Sequence, residues 1–357
     1  MERKPLIPKV IETVFTLQQH ITNHCDRQCE HCYLTDKEKK NSEKDALTTD
    51  ECKNVIDQMV QLGRDFRVVP RINFSGGNPL LRQDFLELIK YAKDNLVRIA
   101  ILGNPYPLTE KTLDILVENN LYRYQLSLDG TKETHDMFRG NGSYDMTLEG
   151  IRKIADKGIW VSIMSTVSRL NYKQMPEIAE ISLKNGARHF DFARLVPIGE
   201  GKNLDEDQLT PLEYKEFLFD MHKVYEKLSK QGAKTGFFGR KDPLWSLLYK
   251  EMGILPPHNK TQVYDGCTLG KSGLTLDVDG TLYACRRMPI SLGNIRNTTL
   301  KETFLQNELL DKYRQFEKID GCNECDLMTI CRGCRAIAHG NTGNYFSRDP
   351  QCWRGQE

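Results

Sequence analysis

Short apolar strands alternate with amphipathic helices along the N-terminal half of the chain. The first strand is predicted over residues 13–22, and the first helix over 48–62, where apolar residues recur at helical spacing. Five further strands are predicted over residues 70–75, 97–102, 122–128, 159–167 and 189–195. The helices between and after them are predicted over residues 81–95, 109–119, 144–157 and 173–185. This succession of about six β/α units predicts an α/β fold with a parallel sheet and right-handed crossovers.

Two architectures fit six such units. A closed barrel of this type needs eight strands, so the units form either an open partial barrel or a doubly wound sheet. In both architectures ligands bind at the carboxyl ends of the strands. We therefore look for chemistry in the loops that follow the strands.

The alternation breaks after about residue 200. A helix is predicted over 212–230, and a hairpin over Leu274–Cys285 that turns at Asp279 and Gly280. Residues after about 320 are rich in cysteine and show little hydrophobic periodicity, which predicts a small region that lacks an adequate apolar core and is held together by metal. The predicted organisation is a partial barrel, a bridging segment and a small cysteine-rich domain, over residues 1–234, 235–265 and 266–357.

The composition excludes several classes of protein. Hydrophobic residues make up 39% and charged residues 28%, and 50 Lys and Arg against 49 Asp and Glu leave a net charge of +1. This balance predicts a globular protein with neither a nucleic acid nor a membrane as partner. The first ten residues lack the apolar stretch of a secretory signal, so we expect a cytoplasmic protein, in which disulfides are rare.

The cysteines therefore indicate metal. There are 11, in clusters at short spacing, and Cys25, Cys29 and Cys32 lie in the loop after the first predicted strand. Three thiolates on one short loop can bind three corners of an iron–sulfur cubane and leave one iron without a protein ligand. The alternative is a zinc site of three cysteines and one histidine, with His24 or His31 as the fourth ligand.

Cys25, Cys29, Cys32 and the adjacent Tyr33 resemble the CxxxCxxC motif of the radical S-adenosylmethionine (SAM) superfamily. The resemblance extends over residues 13–200 and implies a partial (β/α)6 TIM-like barrel. It also implies a [4Fe–4S] cluster whose open iron binds SAM and whose electron cleaves SAM to a 5′-deoxyadenosyl radical. The superfamily further implies a one-electron donor of the flavodoxin or ferredoxin type.

The same resemblance assigns SAM contacts at strand ends. Gly76, Gly77 and Asn78 match the turn that receives the SAM amino group, with Asn78 in place of the family's acid. The other matching positions are Tyr33 in the cysteine loop, Ser127 and Asp129 of an SxDG segment, Arg139 of an HDxxRG segment, and Leu195 after the sixth strand. For Arg139, a surface salt bridge is the alternative to a bond with the SAM carboxylate.

The C-terminal cysteines are similar to those of the SPASM domain, which binds two auxiliary [4Fe–4S] clusters. By that pattern the first auxiliary cluster takes Cys267, Cys285 and Cys334, and its fourth position is either filled by another side chain or open to substrate. The second takes four thiolates, from Cys322, Cys325, Cys331 and Cys352. The resemblance thus implies three clusters in all, while a zinc knuckle with four cysteine ligands is the alternative for this region.

The family resemblance narrows the range of expected substrates. SPASM enzymes mostly act on peptides or proteins, and we expect a peptide-modifying enzyme that forms a thioether, a carbon–carbon crosslink or a related oxidation product. Arg286 occupies the position where sulfatase-maturing members carry an Asp, which argues against formylglycine formation. The alternatives are an enzyme that modifies a tetrapyrrole or small molecule and, outside enzymes, a zinc-binding scaffold. Cys52 belongs to neither cysteine set and is expected to be a buried, inert thiol.

Overall fold

The computed structural model describes residues 13–35, 45–234 and 236–354. The stretch considered for a secretory signal lies outside the described residues. The strands are β1 (Val14–Thr22), β2 (Val69–Gly76), β3 (Arg98–Leu102), β4 (Arg123–Ser127), β5 (Trp160–Val167), β6 (His189–Arg194), β7 (Gly273–Leu276), β8 (Thr281–Cys285) and β9 (Met288–Asn294). The helices are α1 (Thr49–Phe66), α2 (Phe85–Asp94), α3 (Glu110–Glu118), α4 (Lys132–Arg139), α5 (Ser143–Asp156), α6 (Met175–Lys184), α7 (Pro211–Lys230), α8 (Trp245–Glu251), α9 (Leu300–Gln306), α10 (Glu308–Tyr313) and α11 (Arg335–Thr342).

The nine strands of the described residues form one sheet in the order β6-β5-β4-β3-β2-β1-β7-β8-β9. Strands β1 to β6 are parallel to their neighbours and helices connect them, which confirms the predicted α/β partial barrel. Each predicted strand and helix of this half is present. Helix α4 was not predicted, because only His135 and Phe138 of its eight residues are buried, and two positions are too few to establish a helical repeat.

The sheet continues beyond the barrel half. Strand β7 pairs in parallel with β1, with Thr16 opposite Gly273, and an added Cβ on Gly273 would lie 2.3 Å from the Thr16 carbonyl oxygen. Strands β7 and β8 then form the predicted hairpin around Asp279 and Gly280. The division into residues 1–234, 235–265 and 266–357 stays a prediction.

The two faces of the sheet differ in chemistry. On the outer face, Phe15 of β1 packs edge-on against Phe304, with ring centroids 4.9 Å apart, and Phe74 of β2 packs against Phe85 of α2. The inner face is polar: Gln18 of β1 donates a hydrogen bond from Nε2 to Oγ of Ser75 at 3.2 Å. We call the space that this inner face borders the lumen.

The apolar core does not end with the barrel. Leu327, Ile337 and Trp353 are buried in the same contiguous cluster as the outer-face residues. The few apolar side chains of the C-terminal region thus share the core of the barrel, and the expectation that metal holds this region together stays a prediction. Sequence periodicity missed this because the residues lie in turns and short helices. Cys52 is buried in α1, as predicted. Among the described residues, no helix combines the length and apolar character needed to span a bilayer.

Candidate functional site

The loop with the first three cysteines is seated on the carboxyl end of β2. The amide of Gly77 donates to the carbonyl of Thr22 at 2.7 Å, and the amide of Asn78 donates to the carbonyl of His24 at 2.7 Å. An added Cβ on Gly77 would lie 2.0 Å from the His24 carbonyl oxygen, and one on Gly76 would lie 2.1 Å from that of Thr22. The two glycines are therefore required because the cysteine loop passes directly over them.

Asn78 is fully buried and both ends of its amide are held within the protein. Its Nδ2 donates to Oδ1 of Asp26 at 2.9 Å and to the carbonyl of Tyr106. Its Oδ1 accepts from the amide of Leu80 at 3.4 Å. The amide oxygen that the sequence suggested for the SAM amino group thus caps the turn after β2, and Asn78 fixes the shape of the cysteine loop through Asp26.

Asn104, which sequence analysis missed, contacts the first cysteine. Its Nδ2 donates to Sγ of Cys25 at 3.3 Å and to Oδ1 of Asp26 at 2.9 Å. It is the second residue after β3, so its place at the carboxyl edge of a parallel sheet was the available signal. An N–H donor aimed at the sulfur stabilises a thiolate there.

Asp129 and Arg139 form a buried ion pair beside the second cysteine. Arg139 donates from Nε to Oδ2 of Asp129, which also lies 3.3 Å from Nε2 of His31. The Nη1 of Arg139 lies 3.7 Å from Sγ of Cys29. Burial alone would raise the pKa of Asp129, but the charge of Arg139 and the contact with His31 hold it well below its usual range. Arg139 thus forms a salt bridge, but a buried one and not the surface salt bridge considered as the alternative.

The surroundings of the three loop cysteines suit an iron–sulfur cluster. Burial raises the pKa of the Cys29 thiol to about 11, and the nearby Arg139 opposes this shift. A thiol of this kind stays protonated at neutral pH unless a metal takes the place of its proton. The donor set of three thiols, with Asn104 and Arg139 as neighbours, therefore fits a metal cluster.

Tyr33 connects this loop to the C-terminal part of the sheet. Its hydroxyl donates to the carbonyl of Gly76 at 3.3 Å. The guanidinium of Arg286 lies 5.2 Å from the centroid of the Tyr33 ring, and its Nη1 lies 3.4 Å from Oδ2 of Asp277. The arginine that replaces the sulfatase-maturase acid is thus stacked on the residue next to Cys32.

The remaining SAM candidates lie at the same edge. Ser127 is the last residue of β4 and is half-buried. Leu195 follows β6, is buried, and donates its amide to the carbonyl of Val167 at 3.0 Å. The segment then turns back on the cysteine loop, since the amide of Gly201 donates to the carbonyl of Cys32 at 3.2 Å. The structure therefore brings all the predicted SAM residues to the carboxyl edge of the sheet.

The second C-terminal cysteine set converges. The four cysteines line one cavity; they are Cys322, Cys325, Cys331 and Cys352. Burial raises the pKa of Cys322 to about 11. Two arginines direct N–H groups at sulfur, Arg354 to Sγ of Cys325 at 3.0 Å and Arg348 to Sγ of Cys352 at 3.8 Å. Four thiols with guanidinium neighbours fit a fully ligated cluster.

Two members of the first C-terminal set lie near a different arginine. Arg287 lies near both Cys285 and Cys334: burial opposes its charge, but these two thiolates raise its pKa. Cys334 donates its amide to Oδ2 of Asp349 at 2.6 Å. The third member, Cys267, donates its amide to the carbonyl of Cys331 at 3.4 Å, so the two sets are adjacent.

Family models match both halves of the chain. The model of the radical SAM superfamily matches residues 20–181, and that of the SPASM iron–sulfur cluster-binding domain matches residues 267–335. The AdoMet-dependent heme synthase of Methanosarcina barkeri is 30% identical over 340 residues, which cover 93% of this chain and 94% of that protein. The mycofactocin maturase MftC of Mycolicibacterium smegmatis is 26% identical over 355 residues, which cover 97% of this chain and 84% of that protein.

Solved structures show the same fold. SuiB of Streptococcus suis bound to the precursor peptide SuiA superposes with a TM-score of 0.76 at 17% identity, covering 96% of this chain and 76% of SuiB. The protein anSMEcpe with bound AdoMet superposes with a TM-score of 0.74 at 17% identity, covering 95% of this chain and 94% of that one.

These similarities agree with the site geometry. Radical SAM enzymes use a [4Fe–4S] cluster and SAM, and SPASM domains bind auxiliary clusters. The chain carries a three-cysteine loop at the carboxyl edge of the sheet and clustered cysteines in its C-terminal part. The chain therefore belongs to the radical SAM superfamily and is an enzyme with a C-terminal SPASM iron–sulfur domain.

Proposed function

We propose that this enzyme modifies a peptide substrate, by a crosslink or a related oxidation. The observation that carries the proposal is the three-cysteine loop at the mouth of a polar lumen, joined through Tyr33 and Arg286 to the strand that ends at Cys285. The similarity to the mycofactocin maturases supports a peptide as substrate. The predicted cytoplasmic location and one-electron donor belong to the same proposal.

We further propose three [4Fe–4S] clusters. The loop cysteines hold the first, Cys267, Cys285 and Cys334 the second with one open position, and the four cavity-lining cysteines the third. When bound, the loop cluster and SAM supply an electron and a carbon radical that removes a hydrogen atom from substrate.

The chain's own residues prepare this site. Asn104 and Arg139 donate hydrogen bonds to Cys25 and Cys29 and so stabilise the thiolates. Carbonyl groups of the turn at Gly76 and Gly77 are available to an ammonium group such as that of SAM. Arg139 reaches the SAM carboxylate only if it shares its charge with Asp129, to which it is already paired.

A tetrapyrrole is the second candidate substrate. Two kinds of relative favour it, the AdoMet-dependent heme synthases and the Fe-coproporphyrin III synthase of Methanosarcina barkeri, which is 27% identical over 355 residues. The polar character of the lumen suits either substrate. Both candidate functions use the same SAM chemistry, and they differ in the substrate that binds in the lumen.

The test uses anaerobically purified full-length protein. We expect about twelve irons per chain, and release of 5′-deoxyadenosine and methionine when SAM and a reductant are added. The triple variant Cys25→Ala/Cys29→Ala/Cys32→Ala is expected to lose about four irons and all SAM cleavage, because each cubane holds four irons. Cys52→Ala is the matched control, since Cys52 lies outside all three sets, and it keeps both properties.

Two results would contradict the proposal. Equal iron contents in the triple variant and in Cys52→Ala would show that the three loop cysteines hold no cluster. Zinc in place of iron at the C-terminal cysteines would show that the auxiliary clusters do not exist. To separate the substrates, the active enzyme is incubated with peptides encoded beside its gene and with Fe-coproporphyrin III, and mass spectrometry identifies which one changes mass.

A further inference from the structure

Three arginines share one cavity with the four cysteines of the second C-terminal set. The residues that line this cavity include Arg332, Arg348 and Arg354. Arg332 directly follows Cys331 in the chain and is 1% exposed. Arg348 is half-buried, and its Nη2 lies 3.8 Å from Sγ of Cys352. We call Arg332 and Arg348 the cavity arginines.

The other charged side chains at this cavity are paired with each other or with neighbours. Arg354 donates to Oδ1 of Asp326 at 2.5 Å. The two carboxylate oxygens of Asp349 each accept a hydrogen bond from Arg194 at 2.8 Å. In the part of the chain that the structure describes, no ion pair joins a carboxylate to either cavity arginine. Two uncompensated positive charges therefore border the space in which the four thiols meet.

Each cavity arginine also keeps an unused hydrogen-bond donor. Backbone carbonyls hold the tip of Arg332: its Nη1 donates to Met328 at 2.8 Å, and its Nη2 donates to Asp265 and, at 3.1 Å, to Cys267. The Nε atoms of Arg332 and Arg348 are buried and meet no acceptor among the described residues. Because a buried donor without an acceptor is costly, both side chains fit a cavity that holds acceptor atoms.

An iron–sulfur cluster on these four cysteines supplies such acceptors. We call the cluster proposed for this cavity the cavity cluster. With four thiolate ligands it is an anion, and reduction adds one more negative charge to it. Positive charge and N–H groups directed at its sulfur atoms stabilise the reduced form more than the oxidised form, which raises the reduction potential. Water screens this effect little at Arg332, since that side chain is buried.

We propose that Arg332 and Arg348 raise the reduction potential of the cavity cluster by donating hydrogen bonds to its sulfur atoms. The inference rests on the proposed function, which assigns a [4Fe–4S] cluster to these four cysteines. Both arginines are positioning residues, because they act through the cluster and do not bind iron.

The arginines beside the N-terminal cysteine loop differ, since each is paired with a carboxylate. Arg139 is paired with Asp129, and Nε of Arg27 lies 3.2 Å from Oδ2 of Asp26. Their positive charge is thus balanced locally. The cavity cluster should therefore have a higher reduction potential than the loop cluster, and an electron that reaches the cavity cluster is held there rather than returned to the loop.

The experiment is a redox titration of the iron–sulfur-loaded, full-length protein, followed by EPR. The signals are first assigned with two variants. The signal that is absent from Cys25→Ala/Cys29→Ala/Cys32→Ala belongs to the loop cluster. Of the remaining signals, the one that changes shape in Cys352→Ser belongs to the cavity cluster, because that variant replaces one of its sulfur ligands.

The midpoint potential of the cavity-cluster signal is then compared among variants. We expect Arg348→Gln to lower the ratio of reduced to oxidised cavity cluster at a fixed potential about tenfold, which corresponds to about 59 mV for one electron. Arg332→Lys keeps the charge but lacks the Nε donor, so it should lower the same midpoint by a smaller amount. Lys318→Gln is the matched control, since it removes one exposed charge from the same region and should leave the midpoint unchanged.

The comparison also contains the results that would overturn the proposal. Midpoints of Arg348→Gln and Arg332→Lys that both equal that of Lys318→Gln refute it. A shift in one variant alone supports tuning by that arginine and refutes it for the other. If Arg348→Gln loses about four irons, Arg348→Lys takes its place, and a smaller downward shift is expected.

Iron content separates this inference from the function on which it rests. A wild type with about eight irons and no signal that responds to Cys352→Ser would refute the cavity cluster itself. A wild type with about twelve irons, whose cavity-cluster midpoint does not move in the arginine variants, refutes only the role of the cavity arginines.

Discussion

The neutral ring of His135 fixes the backbone next to the Asp129 carboxylate by accepting a hydrogen bond. It is fully buried, and its Nδ1 accepts a hydrogen bond from the amide of Asp129 at 3.1 Å. Burial, with the charge of Arg139 as a smaller cause, lowers its pKa to about 4 against the opposing charge of Asp129. The unfolded chain takes up this proton at about pH 6.5, so the contribution to stability is complete above that pH and is lost as the pH falls toward 4.

We therefore predict that His135→Asn flattens the acid side of the stability profile. Asn offers an acceptor at the same position but does not titrate. Between pH 6.5 and pH 4 the wild type should lose about 3 kcal/mol more of its free energy of unfolding than the variant does. Urea unfolding at several pH values measures this, with His258→Asn, in the loop after α8, as the control. Parallel profiles for the wild type and His135→Asn would contradict the assignment.

The Asn78 side chain has an N–H donor, which a carboxylate at this position would lack. We predict that Asn78→Asp lowers the free energy of unfolding by about 3 kcal/mol, because a buried carboxylate would face the Asp26 carboxylate and the Tyr106 carbonyl. The double variant Asp26→Asn/Asn78→Asp exchanges donor and acceptor and should recover part of the loss. Equal stability of Asn78→Asp and the wild type in denaturant unfolding would show that this hydrogen-bond network is not needed.

For single residues, the sequence predicted positions in the fold better than it predicted the groups that each side chain contacts. It placed the cysteines, Tyr33 and Asp129 correctly at strand ends, since the end of a strand can be recognised from the chain alone. It could not show that Asn78 is turned toward Asp26, or that Asn104 reaches Cys25. Such contacts join loops that are far apart in sequence and that meet only after the sheet has formed.

Strand β7 is the element that ties the cysteine-rich part to the barrel. We predict that Gly273→Ala separates β7 from β1, because its Cβ would lie 2.3 Å from the Thr16 carbonyl oxygen, which is backbone and cannot move aside. Hydrogen exchange of the amides in residues 274–276 should become about tenfold to hundredfold faster. Ser272→Ala is the control, since it leaves its backbone bond with Thr16 unchanged. Unchanged exchange in Gly273→Ala would contradict the tight pairing.

Elements with strong local patterns were predicted and elements that depend on distant partners were not. The six parallel strands carry apolar runs of their own, and the β7–β8 hairpin has its Asp279–Gly280 turn. The pairing of β7 with β1 has no local signal, because four residues can pair in parallel or antiparallel fashion with any open edge. Helices α8 to α11 are short, and their burial comes from packing onto the barrel.

Across the whole molecule, one buried network fixes the barrel to the auxiliary cysteines. Arg194 at the end of β6 is 2% exposed and donates from Nη2 to Oδ2 of Asp349 at 2.8 Å and from Nε to Oδ2 of Asp242 at 2.7 Å. The same Asp349 oxygen accepts the amide of Cys334. A change at Arg194 therefore reaches the cysteine region directly.

We predict that Arg194→Met lowers the free energy of unfolding by about 3–5 kcal/mol, because it leaves two buried carboxylates without a counter-charge. Arg194→Met/Asp242→Asn/Asp349→Asn should recover more than half of that loss. Denaturant unfolding and the iron content after purification measure both effects, and exposed Arg188→Met is the control. A loss below about 1 kcal/mol would show that the network is dispensable.

The central place of β1 in the sheet has a consequence for biosynthesis. One edge of β1 pairs with β2, which follows early in the chain, but the other edge waits for β7, roughly 250 residues later. While the ribosome adds the residues between, the strand that leads into the three-cysteine loop is paired on one side only. The loop therefore reaches its final support only after β7 has been synthesised, so we expect a chain that ends before residue 273 to bind iron less well at the loop than the full chain does.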